Sequence, residues 1–266
     1  MESTVAAVGE ICEDVYLPEG TERPGGIAAN FAYHAAVSGA RSLLMAAVGD
    51  DEASGRLLGA LASSPVDGSR VRRLPGRSTT QRLRLEGGER VFCGYDPGVA
   101  ASLRLDAEDE RVLARCAAIA CSDGLPELLA RCVALGPRVV CDFSRDTDGN
   151  APGRPAEWLA PWVDRLAVAF VGGEPSFVAP LVLLSRRTRC LVVLTAGAAG
   201  AFAFDAGRTI EQAAVPVTVL DTNGCGDAFQ GAFTAAWVGG ASVAQSLAAG
   251  ARRAAAVASA YGAQPR

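Results

Sequence analysis

The chain has 266 residues, of which half are hydrophobic and a fifth are charged, and its formal net charge is −4. This composition is typical of one large or two small globular α/β domains with a substantial core, and the acidic balance argues against a nucleic-acid-binding surface. The sequence contains no lysine, which excludes Schiff-base chemistry and the lysine of a Walker-type phosphate loop.

Eight cysteines are present and none forms a C-x-x-C pair. Most lie in apolar stretches, so we expect buried thiols in a reducing compartment, not a disulfide framework or a zinc site. The first residues show no basic segment followed by an apolar one, which predicts no signal peptide and a cytoplasmic protein. Residues 228–251 carry no charge, but their polar side chains and Gly239-Gly240 predict two buried helices and no membrane span.

The N-terminal segment alternates apolar runs with polar turns. Residues 4–8 have the pattern of a buried parallel strand. The polar–apolar mixture at 10–16, which carries Asp14, is predicted to be a loop at the carboxyl end of that strand, where open α/β sheets bind ligands. A strand at 41–48 and a helix from about 53 to 62 come later.

A Gly25-Gly26 turn leads into an Ala-rich helix that runs to about residue 38. Glycines let a backbone approach a polyol closely, and Asp14 and Asn30 supply directional hydrogen-bonding groups, so these residues are candidates for binding a sugar. An ordinary glycine turn and a helix-facing asparagine are the alternative. His34, the only histidine, is assigned to packing or the surface, and its being alone argues against a Ser–His–Asp or Cys–His site.

Residues 71–95 change to an alternation of polar and apolar side chains with a turn at 86–89. This pattern predicts a β-hairpin with one polar face. Tyr95, Asp96 and Gly98 follow it, and they form either a hinge or a contact to the ligand.

From residue 106 onward, helices and strands alternate regularly, which indicates a parallel sheet with right-handed crossovers. No internal repeat or long linker divides the sequence, so we expect a single domain over residues 1–266. Strands predicted at 190–194 and 201–204 enclose the turn Thr195-Ala196-Gly197-Ala198-Ala199-Gly200. Its T-x-G-x-x-G pattern is weak evidence on its own.

The segment Asp221-Thr222-Asn223-Gly224-Cys225-Gly226-Asp227 lies between a β-branched run at 215–220, predicted to be a strand, and an apolar helix at 228–238. Its small residues leave the backbone amides unscreened, and unpaired amides at a helix start attract phosphate. A carboxylate beside such a pocket, here Asp227, makes sense if it accepts the proton of a hydroxyl that attacks the phosphate. The helix dipole is expected to keep Asp227 ionised. A glycine-rich turn with an aspartate cap is the alternative.

This segment resembles the C-terminal signature of the ribokinase-like (PfkB) carbohydrate kinases, D-T-x-G-A-G-D, with Cys225 in the place of alanine. The resemblance implies an α/β fold: a three-layer α/β/α sandwich with a mostly parallel central sheet and a small β lid, here at about 71–95. It also implies a kinase that uses ATP and Mg²⁺, and a homodimer formed through the lid is an open alternative to a monomer.

The resemblance assigns roles to matching residues. It implies that Asp227 is the catalytic base and that the amides of 224–227 hold the transferring phosphoryl group. The sets it implies are Asp227, Gly224, Cys225 and Gly226 for catalysis, Asp14, Gly25, Gly26 and Asn30 for the sugar, and Thr195, Gly197 and Gly200 for ATP.

The metal ligands stay open. The family usually carries an N-x-x-E string after the strand at 166–171, whereas this chain has Gly172-Gly173-Glu174. Glu174 is the candidate for Mg²⁺ and a plain surface acid is the alternative. Asp221 is the candidate for a monovalent cation such as K⁺.

Strings at 8–16, 88–92 and 141–144 are similar to those of the fructoselysine 6-kinase group of the family. They imply phosphorylation of a fructosamine, such as fructoselysine, at its 6-hydroxyl. A kinase for another ketose or for a nucleoside, and a non-catalytic sugar or nucleotide sensor of the same fold, remain alternatives. A nucleic-acid or membrane partner is not expected.

Overall fold

A computed structural model describes residues 4–136, 138–143 and 155–265, so Ser144, the last residue of the 141–144 string, lies outside it. The strands are β1 (Thr4–Val8), β2 (Cys12–Tyr16), β3 (Thr21–Gly25), β4 (Arg41–Met45), β5 (Ala47–Val48), β6 (Arg72–Arg73), β7 (Thr79–Glu86), β8 (Glu89–Asp96), β9 (Ala118–Ser122), β10 (Val139–Asp142), β11 (Val168–Gly172), β12 (Leu191–Thr195), β13 (Ala201–Asp205) and β14 (Arg208–Gln212). The helices are α1 (Ile27–Val37), α2 (Glu52–Ala62), α3 (Ala107–Leu113), α4 (Pro126–Ala134), α5 (Pro155–Leu159), α6 (Val178–Ser185), α7 (Cys225–Val238) and α8 (Val243–Ala258).

The main sheet has the strand order β14-β13-β12-β11-β10-β9-β1-β4. The six strands from β12 to β4 are parallel, whereas β13 and β14 run antiparallel at one edge. In β1, Val5 pairs with Ser42 on one side and with Ala118 on the other. The central strands are apolar apart from polar residues at their ends, such as Asp142 of β10, because helices cover both faces of the sheet.

Successive residues of a strand point to opposite faces of the main sheet and belong to two separate hydrophobic cores. Ala6 and Val8 belong to a core that includes side chains of α3, α4, α5 and α6, whereas Val5 and Ala7 belong to a core that includes side chains of α1, α2, α7 and α8. This alternation follows from the two-residue period of a strand. The predicted three-layer α/β/α sandwich with a mostly parallel sheet is confirmed.

A second sheet, hereafter the lid sheet, has the order β3-β2-β7-β8. The hairpin β7–β8 is antiparallel as predicted, but β2 pairs with β7 in parallel and with β3 antiparallel. The prediction of a loop at 10–16 was therefore wrong for Cys12–Tyr16, and half of the lid sheet lies outside 71–95. Cys12, Glu13 and Asp14 are all buried, so burial does not alternate with polarity along this strand and its period is hidden.

The segment 215–220 is not a strand, in contrast to the prediction. It pairs with no strand in the part of the chain that the structure describes, and Val215, Val217 and Val219 are 37–41% exposed. The predicted pair of helices after it is confirmed as α7 and α8. Among the described residues, none of the helices has the length and apolar character that crossing a bilayer requires.

Candidate active site

The segment Asp221–Asp227 ends in the first turn of α7, at the carboxyl edge of the parallel strands. Gly224 is the N-cap, with φ 76° and ψ 1°, and a Cβ atom there would lie 2.5 Å from the Cβ of Ala263. Glycine is therefore required by conformation and by space. The amide of Cys225 donates to the carbonyl of Thr222 at 3.3 Å, but those of Gly226 and Asp227 have no acceptor among the described residues. Two amides at the helix start are thus available to an anion.

Asp227 lies at the third position of α7 and is half-buried. Its Oδ2 accepts a hydrogen bond of 2.8 Å from the Asn30 amide nitrogen on α1. Burial, followed by the charge of Asp142, raises the pKa of Asp227 to about 8, although Asn30 and the charge of Arg90 act against this rise. The expectation that the helix dipole keeps Asp227 ionised was therefore wrong, because desolvation and neighbouring carboxylates outweigh one helix terminus.

Asp14, on β2 of the lid sheet, is buried and contacts the motif segment. Its Oδ2 accepts a hydrogen bond of 2.7 Å from the Asn223 amide nitrogen. Burial, with the charges of Glu10 and Asp221, raises the pKa of Asp14 to about 7 against the lowering effect of Asn223. A Cβ atom at Gly25 would lie 2.2 Å from Oδ2 of Asp14, so this glycine gives the carboxylate its space.

Gly26 is the N-cap of α1 with φ 96°, and a Cβ atom there would lie 2.8 Å from the backbone nitrogen of Cys12 and from the carbonyl oxygen of Glu10. The glycine pair thus lets α1 begin against the β1–β2 connection. That arrangement brings Asn30 opposite Asp227. Direct contact of Gly25 and Gly26 with a sugar remains a prediction.

Asp221 is fully buried and accepts three hydrogen bonds. Its Oδ2 accepts from the Tyr16 hydroxyl at 2.7 Å and from the amide of Gly262 at 2.8 Å, and its Oδ1 accepts from the amide of Asn223 at 2.8 Å. Three donors compensate the buried charge without a cation. Its assignment to a monovalent cation stays a prediction.

A cleft of about 1170 Å³ opens on the outer side of α7. Thr195, Gly197 and Gly200, the three residues predicted to bind ATP, line this cleft together with Gly226 and with apolar residues of the 214–219 segment. Gly197 has φ 53° and Gly200 has φ 92°, and a Cβ atom at Gly200 would lie 2.3 Å from the carbonyl oxygen of Gln212. The cleft is large enough for a nucleotide.

Glu174 is exposed at the wall of this cleft, two residues after the end of β11, and Glu89 lines the cleft from the lid sheet. In the part of the chain that the structure describes, no three His, Cys, Asp or Glu residues converge as a metal site. Mg²⁺ is usually held by one or two carboxylates and the phosphates of its nucleotide, so the two acids fit a magnesium ion that arrives with ATP.

The tip of the lid sheet contacts the motif segment. The amide of Thr222 donates to the carbonyl of Gly88 at 3.0 Å, and its hydroxyl accepts from the amide of Arg90 at 2.9 Å. The same hydroxyl donates to Glu89 Oε2 at 3.1 Å. These bonds hold the lid sheet over α7 and place Arg90 on the wall of the cleft.

Sequence reasoning missed several polar residues of the site. Glu10 accepts a hydrogen bond of 2.6 Å from the Tyr95 hydroxyl, and burial raises the pKa of Glu10. Asp142 ends β10, and its charge acts on Asp227. Glu10 directly follows an apolar strand and its Gly9 turn, and Asp142 closes another strand, which is the signal that would have placed both at the ligand-binding edge.

Two other expectations concern reactive side chains. Burial raises the pKa of the Cys225 thiol to about 12, so it is protonated at neutral pH, and six of the other cysteines are buried whereas Cys93 is exposed. His34 is fully buried in α1 and burial lowers its pKa to about 3. The expectation that His34 packs is confirmed.

Residues 4–134 and 183–266 match the pfkB family of carbohydrate kinases. Over 253 residues the chain is 29% identical to fructoselysine 6-kinase of Escherichia coli (strain K12), a match that covers 93% of this chain and 94% of that protein. It is 28% identical over 245 residues to a fructosamine kinase of Bacillus subtilis (strain 168), covering 87% of this chain and 82% of the relative.

Solved structures share the fold. Ribokinase of Arabidopsis thaliana complexed with ribose and ATP has a TM-score of 0.81 at 20% identity, covering 100% of this chain and 95% of that one. An E. coli protein assigned as ribokinase II, in complex with ATP and Mg²⁺, has a TM-score of 0.80 at 18% identity, covering 98% of this chain and 94% of that one. The chain thus belongs to the pfkB family of carbohydrate kinases, and its activity is that of a phosphotransferase with an alcohol group as acceptor.

Proposed function

We propose that this kinase transfers the γ-phosphoryl group of Mg-ATP to the 6-hydroxyl of a fructosamine such as fructoselysine. One observation supports the assignment of one region to ATP and another to the sugar. Gly226 lines the cleft together with Thr195, Gly197 and Gly200, whereas the next residue, Asp227, accepts a hydrogen bond from Asn30 and is influenced by the charge of Asp14. We assign the region of Asp14 and Asn30 to the sugar and call it the sugar pocket. ATP enters the cleft and the sugar enters the pocket, so the two substrates meet at the start of α7.

In the transfer, the oxygen of the sugar hydroxyl forms a bond to the γ-phosphorus while the bond from that phosphorus to the β,γ-bridging oxygen breaks and ADP leaves. Asp227 accepts the hydroxyl proton, and a pKa of about 8 makes it a stronger base than an ordinary carboxylate. The amides of Gly226 and Asp227 donate to the oxygens of the transferring group, where negative charge spreads. Mg²⁺, when bound, neutralises phosphate charge, and Glu174 and Glu89 are the residues that would hold it.

The charge of the sugar pocket supports a fructosamine over a neutral ketose. Glu10, Asp14 and Asp227 all have a raised pKa there, and Asp14 and Asp227 each feel the charges of neighbouring carboxylates. A protonated amine on the substrate relieves this repulsion, whereas a neutral sugar does not. The two relatives that act on fructosamines, by their names, support the same class.

The test is ATP consumption with fructoselysine, fructose, ribose, 2-keto-3-deoxygluconate and adenosine. We expect kcat/KM to be highest for fructoselysine, by at least about 10² over fructose if a buried ion pair decides the choice. Asp14→Asn should lower kcat/KM for fructoselysine more than it lowers kcat/KM for fructose. Equal kcat/KM values for fructose and fructoselysine would exclude a fructosamine as the selected substrate.

The role of Asp227 is tested separately. Asp227→Asn keeps the shape of the side chain but removes the base, so kcat should fall by roughly 10²–10⁴ while sugar binding persists. Binding is measured by calorimetry without ATP. Near-normal turnover by this variant would remove Asp227 from the mechanism.

A further inference from the structure

The last described residues, 261–265, pack against α1 directly behind the catalytic motif. Ala263 is fully buried, and its carbonyl accepts a hydrogen bond of 2.8 Å from Nε2 of His34. The Tyr33 hydroxyl donates to the carbonyl of Pro265 at 2.8 Å. The backbone is therefore fixed on both sides of Gln264.

The contact to His34 has a defined direction. The Arg253 Nε–H lies 2.8 Å from Nδ1 of His34, and an arginine can only donate, so Nδ1 is the acceptor. The neutral ring then carries its proton on Nε2 and donates it to Ala263. This side chain anchors the segment and takes no part in proton transfer.

Between these two anchors, the Gln264 amide nitrogen donates to Oδ1 of Asn30 at 2.9 Å. The Asn30 amide nitrogen donates in turn to Oδ2 of Asp227 at 2.8 Å. The ionised form of Asp227, which is the form that acts as the base, only accepts hydrogen bonds. In that form Asn30 must turn its nitrogen to Asp227, and its oxygen then faces Gln264. When Asp227 is ionised, the directions of all three groups agree only in this order.

We propose that Gln264 is a positioning residue for the phosphotransfer: it fixes the Asn30 amide so that an N–H group, and not the carbonyl oxygen, faces the catalytic carboxylate. The inference rests on the proposed role of Asp227. Without the Gln264 donor, the Asn30 oxygen loses its partner, and the amide is free to rotate by half a turn. In that orientation two oxygens face each other and the carboxylate is no longer held toward the sugar.

Two substitutions separate this role from packing. Gln264→Met has a similar length and no donor, and Gln264→Glu replaces the donor by an acceptor. One lost hydrogen bond predicts a fall in kcat/KM for the sugar of about five- to tenfold in Gln264→Met, and a larger fall in Gln264→Glu. KM for ATP should stay within about twofold because Gln264 does not line the nucleotide cleft.

The pH profile supplies a readout that packing alone does not move. The Asn30 donor lowers the pKa of Asp227, so loosening it should move the acidic limb of kcat/KM upward by roughly half a unit to one unit. The charged groups that face Asp227, namely Asp142, Asp14 and Arg90, are the same in all variants. Gln245→Met is the matched control, because Gln245 only completes an exposed capping box of α8. This variant should lose stability, but the acidic limb of its kcat/KM profile should not shift.

Asn30→Ala completes a double-mutant cycle, in which Gln264→Met should have no further effect if it acts through Asn30. If Gln264→Met does not fold, Gln264→Ala, which adds no atom, replaces it. A variant at 264 with an unchanged limb and unchanged kcat/KM, in a protein that Asp227→Asn inactivates, overturns the inference and leaves the proposed function standing. Activity of Asp227→Asn instead overturns the proposed function itself.

Discussion

Substituting Gly226 by alanine tests the phosphate site without disturbing the fold. The residue is at the second position of α7 and does not have a positive φ. A Cβ atom there would meet no described protein atom within 4 Å. Alanine is the better helix former by about 0.5–1 kcal/mol, so Gly226→Ala should raise the free energy of unfolding by up to that amount. For a chain of this size, Tm should rise by about 2 °C.

The same methyl group should impair catalysis. Gly226 lines the nucleotide cleft and its amide has no acceptor among the described residues, so the open space beside it is where the proposal puts phosphate oxygens. A displacement of the reacting phosphoryl group by about 1 Å costs roughly 10²-fold in rate. We expect kcat/KM for ATP to fall by about that factor, measured by coupled ADP release, with sugar affinity within about twofold by calorimetry.

Gly224→Ala is the matched control because it changes the neighbouring glycine for the opposite reason. Its φ of 76° and the 2.5 Å approach to Ala263 impose strain and a steric clash. We expect a loss of about 2–4 kcal/mol in the free energy of unfolding, from the left-handed conformation and the overpacking together. If Gly226→Ala were both more stable and fully active, phosphate would not bind at these amides and the reasoning would fail.

Three further substitutions test other parts of the structure. His34 has a pKa of about 3 in the folded protein and an ordinary one in the unfolded chain, so the wild type loses stability as the pH falls below about 6.5. Between pH 7.5 and 5 its free energy of unfolding should fall by about 2 kcal/mol relative to that of His34→Gln, measured by denaturant unfolding. Tyr16→Phe removes one of three donors to the buried Asp221 and should cost about 1–3 kcal/mol in the same measurement. Arg90→Met removes a cation from the wall of the cleft, and kcat should fall by about tenfold or more in the ADP-release assay, with Tm nearly unchanged.

Most of the fold could be predicted from local sequence patterns. The motif around Gly224 and the start of α7 could be located because a turn and a helix leave their marks within a few neighbouring residues. The strand β2 could not be located from the sequence. Its buried acids, Glu13 and Asp14, are stabilised by Arg56 and Asn223, which lie far away in the chain. The segment 215–220 has the composition of a strand, but no strand among the described residues pairs with it, and most of its side chains line the cleft instead.

The contacts within the candidate site could be predicted even less well, because they join residues that are far apart in the sequence. Asp227 and Asn30 were each selected as functional, but the bond between them joins residues 197 positions apart, and the bond from Gln264 to Asn30 spans 234. No periodicity links such positions. The pKa of Asp227 likewise depends on Asp142 and on burial, which the dipole of its own helix does not reveal.

The raised pKa values suggest that substrate charge and base strength are coupled. In the free enzyme Asp227 has a pKa of about 8, so kcat/KM should rise with pH and level off above about 8, because only the ionised carboxylate accepts a proton. A bound ammonium group near Asp14 lowers the pKa of the neighbouring carboxylates, whereas a neutral sugar does not. With fructoselysine the acidic limb of kcat should therefore lie below that of kcat/KM, and with fructose the two limbs should nearly coincide. Superimposable limbs for both sugars would mean that the amine binds away from these acids, and the pocket would then select its substrate by shape and hydroxyl contacts alone.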